Sequence, residues 1–152
     1  MSAGEGLYCT FFIAEQFYGI PVQDVQEVLQ AQLMTRAPLA PPAVAGLMNL
    51  RGQIVTAIDV RCVMRVREDA IDSERMNLVI RHEGAEVSLL VDRIGDVVTV
   101  DENTIESPPE TLQGVAREFV RGICPMDGQL LLLVDVHRMM NDDACLRSQA
   151  EA

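Results

Sequence analysis

The sequence predicts an all-β protein built as two small barrels packed together, and three observations carry that prediction. Part of the chain occurs twice. Its strand-like segments are about five residues long and are joined by glycine-bearing turns. With 152 residues, 49% of them hydrophobic, the chain can bury a real core. Each half alone, however, is near the size at which one core is marginal.

The duplication is read directly. Val44 to Val60 is echoed by Val120 to Val136 at a constant offset, with Val44 on Val120, Gly46 on Gly122, Gly52 on Gly128 and Asp59 on Asp135. A second echo sets Ile20 to Leu29 against Leu89 to Val98. The repeated segments need not be contiguous lobes, because a strand can be exchanged across the repeat. The expected organisation is a single domain over 7–146 made of two lobes, with 1–6 and 147–152 as flexible tails.

The elements follow in order. Leu7 to Ile13 is rich in β-formers and predicts a first strand. Ala14 to Gln16 turns, and Phe17 to Val22 is extended again, with Pro21 at a strand end because it has no N–H to donate. Val22, Val25, Val28 and Leu29 recur at helical spacing, which predicts one or two short turns followed by a strand toward Met34. Ala37 to Pro42 is a stiff connector. Ala43 to Leu50 and Ile54 to Ile58 form a hairpin that bends at Arg51-Gly52-Gln53, and Asp59 caps a short helix through Met64. Arg65 to Arg75 is a charged loop. A hairpin joins Asn77–Ile80 to Glu86–Val91, and Val91 to Val97 is expected to repeat the earlier short turn. A polar connection runs from Asp101 to Phe119. The second copy of the first hairpin follows, and then a helix from Val136 to Leu146 capped by Asp135.

Composition excludes several functions. The net charge of -11 disfavours a phosphate backbone or an anionic membrane surface as partner. Every basic residue is arginine, so basic contacts are planar forks suited to carboxylates. No apolar run is long enough to span a bilayer, and residues 1–6 show no signal-peptide pattern; a cytoplasmic protein is expected. Cys9, Cys62, Cys124 and Cys145 are widely spaced and read as free thiols. His82 and His137 sit in no ligand-spaced cluster, so no metal and no cofactor is expected.

No catalytic constellation emerges. The glycines lack a phosphate-loop pattern and there is no lysine to complete one. Gly46, Gly52, Gly122 and Gly128 are read as turn or close-approach positions. Asp59 and Asp135 are read as helix caps, and Asp92 and Asp96 as surface residues or local caps. Arg51 sits at a hairpin tip within an apolar segment. It is either a solvated turn residue or one that faces a partner or braces a neighbouring loop through a carboxylate. The second copy has Asp127 there.

At Asn49-Leu-Arg-Gly52, followed by Ile54-Val-Thr-Ala-Ile-Asp-Val-Arg61, the chain resembles the CheW family of chemotaxis coupling proteins. The likeness extends to Tyr18-Gly-Ile20, Val25-Gln-Glu-Val28, the prolines before Val44-Ala-Gly46, Leu89 to Ile94 and Leu130 to Asp135. The resemblance implies two five-stranded SH3-like β-barrel subdomains. It also implies a non-enzymatic adaptor that couples the cytoplasmic tip of a methyl-accepting chemotaxis receptor to a CheA-type histidine kinase, at receptor arrays on the inner face of the membrane. Receptor or kinase contact is carried over onto Val25, Glu27 and Arg51. Within the same fold, the alternative is a scaffold for a chemosensory pathway with an output other than motility. Self-association is left open. Nucleic-acid binding is disfavoured by the charge and by the scarcity of aromatics.

Overall fold

A computed structural model describes residues 5–64, 75–110 and 118–141. In chain order the strands are β1 (Glu5–Ile13), β2 (Gln16–Pro21), β3 (Val25–Leu29), β4 (Val44–Leu50), β5 (Gln53–Asp59), β6 (Met76–His82), β7 (Ala85–Val91), β8 (Arg93–Asp101), β9 (Val120–Met126) and β10 (Gln129–Val134). Helix α1 (Val60–Val63) follows β5, and α2 (Val136–Met140) follows β10. The fold is all-β, with two five-stranded SH3-like subdomains.

One sheet has the order β8-β1-β2-β10-β9 and the other β3-β6-β7-β5-β4. Each half of the repeat therefore contributes strands to both sheets. Hairpin β1–β2 pairs with β9–β10 of the second half, and β6–β7 pairs with β4–β5 of the first. The two junctions, β2 with β10 and β5 with β7, are parallel. The strand after each early hairpin crosses over, so β3 leaves β2 to edge the second sheet and β8 leaves β7 to edge the first. The Ile20–Leu29 and Leu89–Val98 echo marks these two crossings.

The hydrogen-bond ladder of neither sheet closes on itself, so the subdomains are coiled open sheets rather than closed barrels. Short bridges extend one edge of each at repeat-related places, Thr35 with Leu47 and Glu106 with Ile123.

Burial explains why several strands lack alternation. A shared core of Phe11, Ile13, Ile20, Ile58, Leu78, Ile80, Leu89 and Val91 joins the two sheets and includes Val60, Val63, Val136 and Met139 from the helices. Each sheet also encloses a smaller core of its own, with Tyr8, Val100, Leu131 and Leu133 in the first and Met48, Leu50, Val55 and Val79 in the second. Central strands such as β6 are covered on both faces, and so read as continuous apolar runs.

Several boundaries differ from the sequence expectation. β1 starts at Glu5, so Glu5 and Gly6 belong to a strand rather than to a tail. Only one 3-10 turn, Val22–Asp24, precedes β3, and β3 stops at Leu29 instead of running toward Met34. The helical spacing of Val22, Val25, Val28 and Leu29 was a β-bulge in disguise: the register shifts between Val25 and Glu27, which breaks the period of two. Val91 to Val97 forms no second helical turn, since β8 begins at Arg93. The expected loop at 65–74, the tail beyond 147 and the helix beyond Asn141 lie outside the described residues.

Two repeat-related glycine pairs have distinct reasons. Gly52 and Gly128 have φ of +84° and +83° and follow Arg51 and Asp127, also at positive φ, as two-residue hairpin turns demand. Gly46 and Gly122 are close-approach sites. A Cβ on Gly46 would lie 2.9 Å from the Thr35 carbonyl, and one on Gly122 would lie 2.4 Å from Ile105 Cγ2. These are the points where the bridging segments cross the edge strands.

Candidate protein-docking surface

Val25 and Glu27 lie on β3, the open edge of the second sheet, and flank its bulge. Bulges bend a strand and re-aim its side chains. Val25 is half-buried and packs against the shared core, while Gln26 and Val28 face solvent. Arg51 stands at the tip of the β4–β5 hairpin. Although β3 and β4 are opposite edges of the sheet, Arg51 reaches Glu27 with both terminal guanidinium nitrogens, Nη1 to Oε2 at 3.2 Å and Nη2 to Oε1. Arg51 is thus braced through a carboxylate, but across to strand β3 rather than to a neighbouring loop, and its guanidinium is still largely open to solvent.

The electrostatics follow from that fork. Hydrogen bonding from Arg51 holds the Glu27 carboxyl below its ordinary range, although partial desolvation opposes it. Glu27 in turn raises the Arg51 guanidinium. The pair thus stays charged and fixed at neutral pH. Asn49 Oδ1 accepts the Gly52 N–H at 2.9 Å and closes the turn that presents Arg51. This gives Asn49-Leu-Arg-Gly52 a local reason: Asn ties the turn, and Gly supplies the left-handed backbone. Beside the tip opens a cleft of about 750 Å³ lined by Arg51, Ile54, Arg81, Gly84 and Glu86 among others.

Exposed apolar residues recur at repeat-related places. Ile54 and Leu130 follow the two equivalent hairpin turns, and Val28 and Val97 lie on the two open edge strands. A second, more apolar cleft of about 350 Å³ includes Phe17, Pro109, Ile123 and Leu130. Each sheet therefore carries an exposed apolar end. The charged pair does not recur, because Asp96 and Asp127 take the places of Glu27 and Arg51.

The caps are plain in the structure. Asp59 accepts from the Arg61 N–H at 3.0 Å and Asp135 from the Arg138 N–H at 3.1 Å. Asp59 also holds Arg75 at 2.8 Å. The sequence reading missed Asp92. A surface residue or local cap is expected there, but the Asp92 side chain is only 13% exposed. Arg61 grips it in a two-point fork, Nε at 2.8 Å and Nη2 at 2.6 Å, and the Ala14 N–H donates to it at 2.6 Å. Burial pushes the Asp92 carboxyl up, but Arg61 and the Ala14 N–H outweigh it and leave the group below its ordinary value. This cluster clasps α1, after the second sheet, to the β1–β2 turn of the first. The available signal was position: Asp92 directly follows fully buried Val91 at the crossing between sheets.

Among the described residues no group of three or more His, Cys, Asp or Glu is placed to hold a metal ion. Cys9, Cys62 and Cys124 are free thiols. No helix among the described residues is long and apolar enough to cross a membrane.

An all-β pair of strand-exchanged sheets with apolar ends and a braced arginine at one hairpin tip defines the class. The chain belongs to the CheW-like domain family, which matches residues 7–144. It is 31% identical over 134 residues to the chemotaxis protein CheW of Bacillus subtilis, covering 88% of this chain and 86% of that one. It is 28% identical over 136 residues to the chemotaxis protein CheW of Treponema pallidum, covering 87% of this chain and 80% of that one. The crystal structure of the scaffolding protein TtCheW from Thermoanaerobacter tengcongensis superposes with a TM-score of 0.83 at 27% identity, covering 93% of this chain and 97% of that chain.

Proposed function

We propose that residues 7–146 act as one adaptor unit, which joins the cytoplasmic tip of a methyl-accepting chemotaxis receptor to a CheA-type histidine kinase and performs no chemistry itself. The observation that supports this most is the convergence of Glu27 and Arg51, distant in sequence, onto one exposed end of the second sheet beside half-buried Val25. A receptor tip is a helical hairpin, and it needs an apolar strip to bury and a polar rim to set its orientation. Val25 and exposed Val28 supply the strip. The Glu27–Arg51 pair supplies the rim.

The repeat-related apolar ends, at Ile54 and Leu130, suit barrel-to-barrel contact with the kinase. Holding both partners in one geometry lets a small receptor change bias the kinase, which is a coupling free energy between two docking sites. The working place is the cytoplasm, against receptor arrays on the inner face of the membrane.

Affinity capture of the full chain from its native cytoplasm tests the reading. Receptor and histidine kinase together are the expected co-purifying proteins. Val25→Glu and Arg51→Ala each lower recovery of one of them while the far-ultraviolet circular dichroism stays unchanged. Capture of neither, or undiminished capture by both variants, overturns it.

A further inference from the structure

The chain holds only two histidines, far apart in sequence, and the fold brings them face to face. His82 ends β6 and His137 is the second residue of α2. Their Nδ1 atoms are 3.2 Å apart, with ring centroids at 5.2 Å and planes at 40°. His82 is nearly buried, its side chain 10% exposed, whereas His137 is open to solvent. On the far side of the His82 ring, the Glu83 carboxylate lies 3.8 Å from Nε2.

The place in the fold matters. α2 follows the first sheet and here meets the β6–β7 hairpin of the second. In the other half of the repeat, the second residue of α1 is Arg61, and it clasps the opposite sheet through Asp92 and Ala14. Two equivalent seams thus exist. One is tied by the Arg61–Asp92 ion pair, and the other by two imidazoles that share at most one proton between their facing nitrogens.

We propose that His82 and His137 form a two-point site for a borderline divalent cation such as Zn²⁺, which ties α2 to the β6–β7 hairpin as the Arg61–Asp92 pair ties the other seam. Two nitrogens on one tetrahedral zinc lie roughly 3.3 Å apart, given Zn–N bonds of about 2.0–2.1 Å. The observed separation meets that span without rearrangement. Imidazole suits zinc, nickel and copper and does not suit magnesium. The Glu83 carboxylate stands 3.8 Å from the outer nitrogen of His82, on the side from which a carboxylate backs many metal-bound histidines; water completes the coordination. Among the described residues, the other charged side chains near the pair in sequence are Arg81, which pairs with Glu86, and Asp135 and Arg138 on either side of His137. Asp135 is engaged in capping and Arg138 in binding the Glu118 carbonyl, which leaves the imidazoles as the ligands.

Calorimetric titration of the full chain with zinc chloride at about pH 7.5 tests this. One zinc per chain is expected, with affinity at least about ten-fold weaker in His137→Ala and no uptake of magnesium. Because there is no third histidine, imidazole nitrogen NMR resonances report the site directly, and both sets shift on zinc addition. His137 is exposed, so its replacement leaves the fold testable. Equal zinc affinity in His137→Ala, no zinc uptake by the parent chain, or zinc bound with both imidazoles unmoved overturns the proposal. None of these outcomes bears on the adaptor reading.

Discussion

Arg51 and Glu27 form an ion pair between a hairpin tip on one side of the second sheet and the strand on its opposite edge. A flat sheet would hold these residues several strands apart. The pair forms because the sheet coils and because a bulge at Gln26 turns the edge strand. This exposed ion pair is therefore a product of the coil, and it reports on it.

Removing the pair should leave the fold nearly untouched. Arg51 is 64% exposed, and exposed pairs add little to stability. Arg51→Ala and Glu27→Gln should each leave the thermal midpoint nearly unchanged, while the charge-swapped double variant restores any partner recovery that either single change loses. A clear drop in midpoint for both singles would assign the pair a structural role.

The clasp behind Asp92 should behave oppositely. Breaking a largely buried charge pair strands the remaining charge, at a cost of roughly 3 kcal/mol. Asp92→Asn and Arg61→Ala should both lower the unfolding free energy obtained from urea melts by that order. Arg61→Ala with Asp92→Asn together should cost less than the sum, because both changes remove the same interaction.

The pH dependence has a defined sign. The folded Asp92 carboxyl lies below its ordinary value, so the unfolded chain binds its proton first as pH falls. Its contribution is complete above the usual carboxylate range and is lost as pH drops through the lower, folded value. Urea midpoints of the parent should therefore fall on acidification through that range more steeply than those of Asp92→Asn.

The glycine pairs give a contrast within one repeat. Gly46→Ala sets a Cβ against the Thr35 carbonyl, and overpacking of this kind costs about 1–3 kcal/mol. Gly52→Ala meets no atom within 4 Å and pays only for the left-handed backbone, about 1–2 kcal/mol. Gly122 and Gly128 should repeat the pattern, with the bridge rather than the turn disturbed in Gly122→Ala. Amide hydrogen exchange at Glu106 and Ile123 separates the two causes.

The two caps should differ although the repeat makes them equivalent. Asp135→Ala loses a cap, about 1 kcal/mol. Asp59→Ala loses the cap and also leaves Arg75 without its 2.8 Å partner, so its midpoint should fall further. Equal losses would mean that Arg75 adds nothing.

The sequence by itself determined the all-β class, the duplicated hairpin with its glycine turns, and the aspartate caps. These are local properties: β-formers, turn chemistry and a carboxylate before a helix act over a few residues, and a repeat exposes them twice. It also placed Arg51 at a hairpin tip. Only tertiary structure decided which strand pairs with which sheet, because an edge strand such as β3 or β8 carries the same local pattern in either sheet. The same holds for the partners of Arg51, Asp92 and His82. Each lies across a sheet or a seam, where contact depends on coil, bulge and strand exchange rather than on neighbours in the chain.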